Sequence, residues 1–170
     1  MKIFTTAFIF LLSAMFLFNS CAPTKEEAMN YNDNIIKEQK KIVQAEKELI
    51  TAIKENLTKG NTLETILKEL SDQINESKKV VEGMEKFDGK TDFKDAMLKF
   101  LAAYRDVVDN EYKSWLKNLK IPDEQVTEDV IYQEEELVHE INRKLDKANN
   151  EFLEAQKDFA AKYKFKLAEN

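Results

Sequence analysis

The chain has 170 residues with 26 basic and 32 acidic side chains, a net charge of −6, three glycines, two prolines and a single cysteine. That balance argues against nucleic acid as a partner and against electrostatic docking on an anionic membrane. So little glycine and proline leaves few breaks for a strand-rich or multi-domain chain, and the length suits one domain with a real core.

The N-terminal stretch, MKIFTTAFIFLLSAMFLFNSC, opens with Lys2 and runs apolar from Ile3 to Phe18 before Asn19, Ser20 and Cys21. A basic residue, an apolar run and a small residue at its end make a secretory leader. The run is shorter than the ~20 residues of a spanning helix. Ser20-Cys21 at the end of the run resembles the lipobox of bacterial lipoproteins, in its Bacteroidota form. The resemblance implies that residues 1–20 are a signal peptide and that the Cys21 thiol takes a diacylglyceryl group, with palmitate-type acyl chains at the new N-terminus. It also implies a place in the bacterial cell envelope, lipid-anchored to the outer membrane on its periplasmic face or at the cell surface. Acyl chains contribute ~0.8 kcal/mol per buried CH₂, so several of them form a lasting membrane anchor. An exported protein with one thiol has no internal disulfide to make, and acylation removes the exposed thiol. Removing the leader takes away Lys2 and no acid, so the body carries −7.

Residues 21–24 form the lipidated cysteine and a short tether, and residues 25–170 form the domain. Lys25-Glu26-Glu27 is similar to the short acidic surface-export signal of some Bacteroidota lipoproteins. The same residues start a helix: Thr24 as N-cap and Glu27 three positions on make a capping box, with acids at the positive helix end. The first helix is predicted from Lys25 to Thr58, with Gly60 in the left-handed position after it. Met29, Ile36, Val43, Ile50 and Leu57 line its inner face, with Ile35, Ile42 and Leu49 beside them.

Asn61 is expected to cap the second helix with Glu64 as its box partner, and Leu63, Ile66, Leu67, Leu70, Ile74, Val81 and Met84 form its stripe. Phe87 to Asp92 breaks the pattern, with Gly89 serving a tight turn. The third helix turns Phe93, Met97, Phe100, Leu101, Tyr104, Val107, Val108, Trp115 and Leu119 inward. Pro122 favours the first turn of the fourth helix. That helix places Val130, Leu137, Val138, Ile141, Leu145, Ala148, Phe152, Phe159 and Tyr163 on one side and stops near Tyr163, with Phe165 and Leu167 pinning the tail. Four long amphipathic helices with short connections predict an all-α fold, an antiparallel up-down-up-down four-helix bundle. The lipidated end, the 86–92 turn and the C-terminus then lie together near the membrane, and the 58–62 and 119–127 connections form the distal tip. Outer charges such as Lys37, Glu38, Lys40 and Lys41 read as a solvated face. This layout and the stretch Ala155 to Tyr163, AQKDFAAKY, are similar to a family of uncharacterised surface lipoproteins from Bacteroidota and leptospires. That resemblance implies no functional residue beyond Cys21.

Catalytic and metal motifs fall short. A bundle di-metal site needs two Glu-x-x-His pairs; the chain has one, Glu136 to His139, pointing away from the apolar stripe. Gly83 to Thr91 departs from a phosphate loop in spacing and follows a helix rather than a strand. One histidine and an acylated cysteine leave no nucleophile–base set. Polar residues do interrupt the stripes: Asn32, Gln39 and Glu46 at steps of seven, then Glu111 and Glu134. Buried carboxylates need a charge partner, hydrogen bonds or a raised pKa. Converging acids could hold a hard cation through oxygen ligands; alternatively Asn32 and Gln39 fix helix register while the glutamates reach the rim. The expected function is a non-enzymatic binding or interaction module without cofactor, held to the membrane by its anchor and meeting a protein partner at the distal tip. The alternative is a small-ligand or metal-cation carrier with an acid-lined cleft between helices.

Overall fold

The computed structural model describes residues 22–55 and 62–167. The leader, Cys21, the predicted end of the first helix over 56–58, Gly60 and the Asn61 cap lie outside the described residues. Four helices run antiparallel as an up-down-up-down bundle: α1 Lys25–Lys54, α2 Thr62–Gly83, α3 and α4. α3 begins as Asp92–Val107, passes through one π-helical turn at Val108–Tyr112, and continues as Lys113–Asn118. α4 covers Glu128–Lys162.

The helix starts follow local chemistry. Thr24 and Glu27 form the expected capping box, each side chain taking a backbone N–H of the other residue. α1 is described to Lys54, with Glu55 as its C-cap. Phe87 and Lys90 exchange backbone hydrogen bonds of 3.0 Å across Asp88 and Gly89, both at positive φ. Gly89 thus serves the tight turn its sequence context suggests. Pro122 does not open α4. Asp123–Gln125 is a separate 3₁₀ turn, and Thr127 caps α4 by accepting from the Val130 N–H.

α1 lies chiefly against α2, α2 also against α3, and α3 against α4. This arrangement corrects the predicted inner face of α1. Ile35, Ile42 and Leu49 are fully buried, Ile36 and Ile50 are half-buried, and Met29 and Val43 lie at the exposed rim. Packing against α2 centres the buried face on Ile35, Ile42 and Leu49, while Ile36 and Ile50 still pack against the core from its edge. Glu38 lies on that face. Rather than facing solvent it is buried, accepting from Ser77 Oγ of α2 at 2.8 Å and Lys41 Nζ at 2.7 Å.

On α3 the π turn adds one residue to the winding. It brings Tyr112 and Leu116 into the core, while Trp115 and Leu119, expected inside, are half-buried. The interior is aromatic through its middle: Phe100 lies 4.5 Å from Tyr104 and 5.5 Å from Phe152 between ring centroids, and Phe93 stacks on Phe159 at 5.0 Å. At the end where α1 begins, Phe87 of the turn meets Tyr31, Phe159 and Tyr163. There Ala28 and Ala160 cover Phe165, which holds the tail.

The start of α1, the 86–91 turn and the end of α4 therefore share one end of the bundle. At the opposite end Lys120 pairs with Glu64, joining the connection after α3 to the start of α2. No helix among the described residues is long and apolar enough to cross a membrane.

Candidate functional site

The π turn of α3 meets two enclosed carboxylates, its own Glu111 and Glu46 of α1. In an α-helix, consecutive residues point about 100° apart. At Glu111-Tyr112 both side chains are buried, Glu111 toward α4 and Tyr112 toward α1. Tyr112 donates its hydroxyl to Glu46 Oε1 at 2.8 Å, and Tyr104, two turns earlier, donates to Glu46 Oε2 at 3.0 Å. Burial pushes the Glu46 carboxyl above its usual pKa, and the two tyrosine hydrogen bonds pull against that rise. Burial, together with the Glu46 charge, raises both tyrosine hydroxyls above theirs. Glu46 is thus a carboxylate satisfied by two neutral donors, which ties α1 to α3 across the core.

Glu111 has different partners. Its Oε1 accepts from Lys144 Nζ at 2.9 Å, and the same ammonium reaches Asp106 at 2.5 Å. Its Oε2 is buried and has no hydrogen-bond partner, the sole such side-chain atom among the described residues. Glu111 lines an open groove of about 620 Å³ between the distal parts of α3 and α4, together with Ser114, Lys117, Tyr132, Glu136 and Glu140. Glu140 is held by Arg143 at 2.6 and 2.7 Å.

The remaining predicted residues are dispersed. Asn32 accepts from Gln156 of α4 at 3.0 Å, a tie that fits a register role. Gln39 and Glu134 are half-buried. Of the five predicted residues, Glu111 alone lines the groove between α3 and α4. Among the described residues no group of three His, Cys, Asp or Glu side chains is placed to hold a metal ion. His139 is exposed, and its neighbour in the motif, Glu136, faces the groove.

Sequence reasoning missed the Glu38–Ser77 bond and the role of Tyr112. Ser77 gave one clue, a polar residue within the Leu70, Ile74, Val81 stripe. Nothing local announces the π turn that buries Tyr112.

The outer side of distal α4 is uncovered. Ile131 and Val138 extend, at seven-residue steps, the line of Leu145 and Phe152. The lower pair is buried, yet Ile131 is 50% and Val138 36% exposed. Tyr132 is 64% exposed beside the groove, and Val126 in the preceding connection is exposed as well. No protein-family model matches the chain, and no curated protein or solved structure matches it.

Proposed function

We propose that the chain is a lipid-anchored lipoprotein of the bacterial cell envelope, displayed on the outer membrane, whose bundle serves as a non-enzymatic interaction module. The anchor is Cys21, acylated after residues 1–20 are removed. α1 begins four residues later, at the end of the bundle that also holds the 86–91 turn and Phe165. A tether there leaves the Lys120–Glu64 end farthest from the bilayer. The observation that carries the reading is the apolar line of α4, which is covered by the core along its lower half and comes out uncovered only at the far end. A surface of that kind suits a protein partner. The cleft-carrier alternative has less behind it, because Glu46 and Glu111 are engaged by separate partners on separate helices.

Two measurements test the proposal. Mass spectrometry of the native protein should find residues 1–20 missing and Cys21 bearing acyl groups, and Cys21→Ser should abolish palmitate incorporation. Protease added to intact cells should remove the bundle if it stands on the outer face. An unmodified thiol, or a retained leader, overturns the anchor.

A further inference from the structure

We propose that the distal half of α4 is a docking surface for a lysine- and arginine-rich polypeptide segment that carries apolar anchor side chains. The inference rests on the interaction-module reading and supplies the chemistry of the partner.

The first observation is where the charge lies. Between Ile121 and Asn142 the chain has eight acidic residues and no lysine or arginine. The rest of the body behind Ser20 has 25 basic and 24 acidic residues, since Lys2 belongs to the leader and eight of the 32 acids belong to this segment. The body's net −7 is therefore −8 on one short stretch against +1 everywhere else. Glu128 and Asp129 at the start of α4 suit the helix dipole, whose influence fades within the first turn. Glu134, Glu135 and Glu136 lie beyond that reach, and Glu135 and Glu136 are exposed.

The second observation is that this acidic stretch also contains Val126, Ile131, Tyr132 and Val138, four of the exposed large apolar side chains. Ile131 and Val138 stand one heptad apart, the spacing at which a second helix presents its own apolar side chains. The third is that Glu128 and Glu135, both exposed, stand three residues before and four after Ile131, on the same helix face as the apolar line. A guanidinium or ammonium beside a partner's apolar anchors pairs with these carboxylates.

Other occupants fit less well. A second copy of this chain would bring two strongly acidic surfaces together. Nucleic acid and anionic lipid are repelled for the same reason. A metal ion finds no three-ligand group among the described residues. A cationic, partly apolar polypeptide satisfies the charge and the apolar line together, and opposite charge also speeds its encounter.

The test uses the full chain, purified with its anchor in neutral detergent, and a labelled helix-forming peptide of leucine heptads with lysine between them. A matched peptide with glutamate in place of lysine is the control, and fluorescence anisotropy is the readout. The lysine peptide should bind, weakening roughly tenfold as salt rises from about 50 to about 300 mM. The exposed double variant Glu135→Gln/Glu136→Gln should lose about tenfold in affinity and most of the salt dependence. Ile131→Ser/Val138→Ser should lose about as much with the salt dependence kept, while Val80→Ser, exposed on α2, should bind as the unaltered chain does. No binding of the lysine peptide, equal binding of the glutamate peptide, or unchanged affinity in either double variant overturns the inference. Because the assay runs in detergent, its failure leaves the anchor proposal standing. A failed anchor, in turn, leaves this result readable.

Discussion

Glu46 shows how one residue within an apolar stripe can be a design feature of the core rather than a ligand site. Its two hydrogen bonds come from neutral hydroxyls, so the carboxylate is satisfied without a counter-charge. Burial still raises its pKa in the fold. The folded chain then holds a proton at this group to a higher pH than the unfolded chain does. Its contribution to stability accordingly grows as pH falls through the raised folded value, is complete below the ordinary glutamate value of ~4.3, and is lost as pH rises again. Exposed acids such as Asp88 and Glu27, held below their usual pKa by Lys162 and by Thr24 respectively, tilt the pH dependence the other way. The clean measurement is therefore a difference. Urea unfolding of the unaltered chain and of Glu46→Gln, compared between pH 4.5 and 8, should show the unaltered chain gaining relative stability toward acid. A difference that stays flat with pH would mean that Glu46 titrates normally.

At the scale of single elements, the end of α4 is stopped by packing rather than by glycine. The Phe165 N–H bonds to Ala160 O at 3.1 Å and the Lys164 N–H to Ala161 O at 3.3 Å, with Lys164 at φ 57°. This is the Schellman arrangement, with the apolar contact between Phe165 and Ala160 that usually accompanies it. A lysine in the left-handed region costs about 1 kcal/mol that glycine does not. Lys164→Gly should therefore raise stability by about 0.5–1 kcal/mol. Phe165→Ala should lower it by about 3 kcal/mol, because its burial against Ala28 and Ala160 closes the proximal end. Thermal unfolding reads both, and a neutral Phe165→Ala would show that the tail does not brace the bundle.

Across the whole molecule, packing is uneven along its length. Where α3 and α4 meet, the layers of Phe93, Phe100, Phe152 and Phe159 are dense and aromatic. Toward the distal end α4 keeps only a half-buried flank at Val130, Glu134 and Leu137, and its other side is open. Segments with few buried apolar contacts open first. In hydrogen exchange, amides of Val130 to Val138 should exchange well before those of Ile141 to Phe152. Equal protection would mean that the distal half is as firmly held as the centre. A docking face drawn from the less stable part of a helix can adjust to its partner, while the central layers hold the frame.

Much of this architecture follows from local rules and was legible before any coordinates. Helical periodicity marks the four rods, the Thr24–Glu27 box marks the first start, and Gly89 marks the turn, because each depends on residues within one or two turns of each other. Rotation about a helix axis is a different kind of fact. Ile35 and Ile36 differ by one position, and only the partner helix decides which of them is buried. α1 chose α2, so Glu38 went inside and Val43 stayed at the rim. The π turn is likewise not marked by local pattern, and it put Tyr112 onto Glu46. The clustering of charge at Ile121 to Asn142 lay in the sequence throughout. It became a surface only once the bundle left Ile131 and Val138 partly exposed, since periodicity can say that a side chain is apolar but not how much of it is covered.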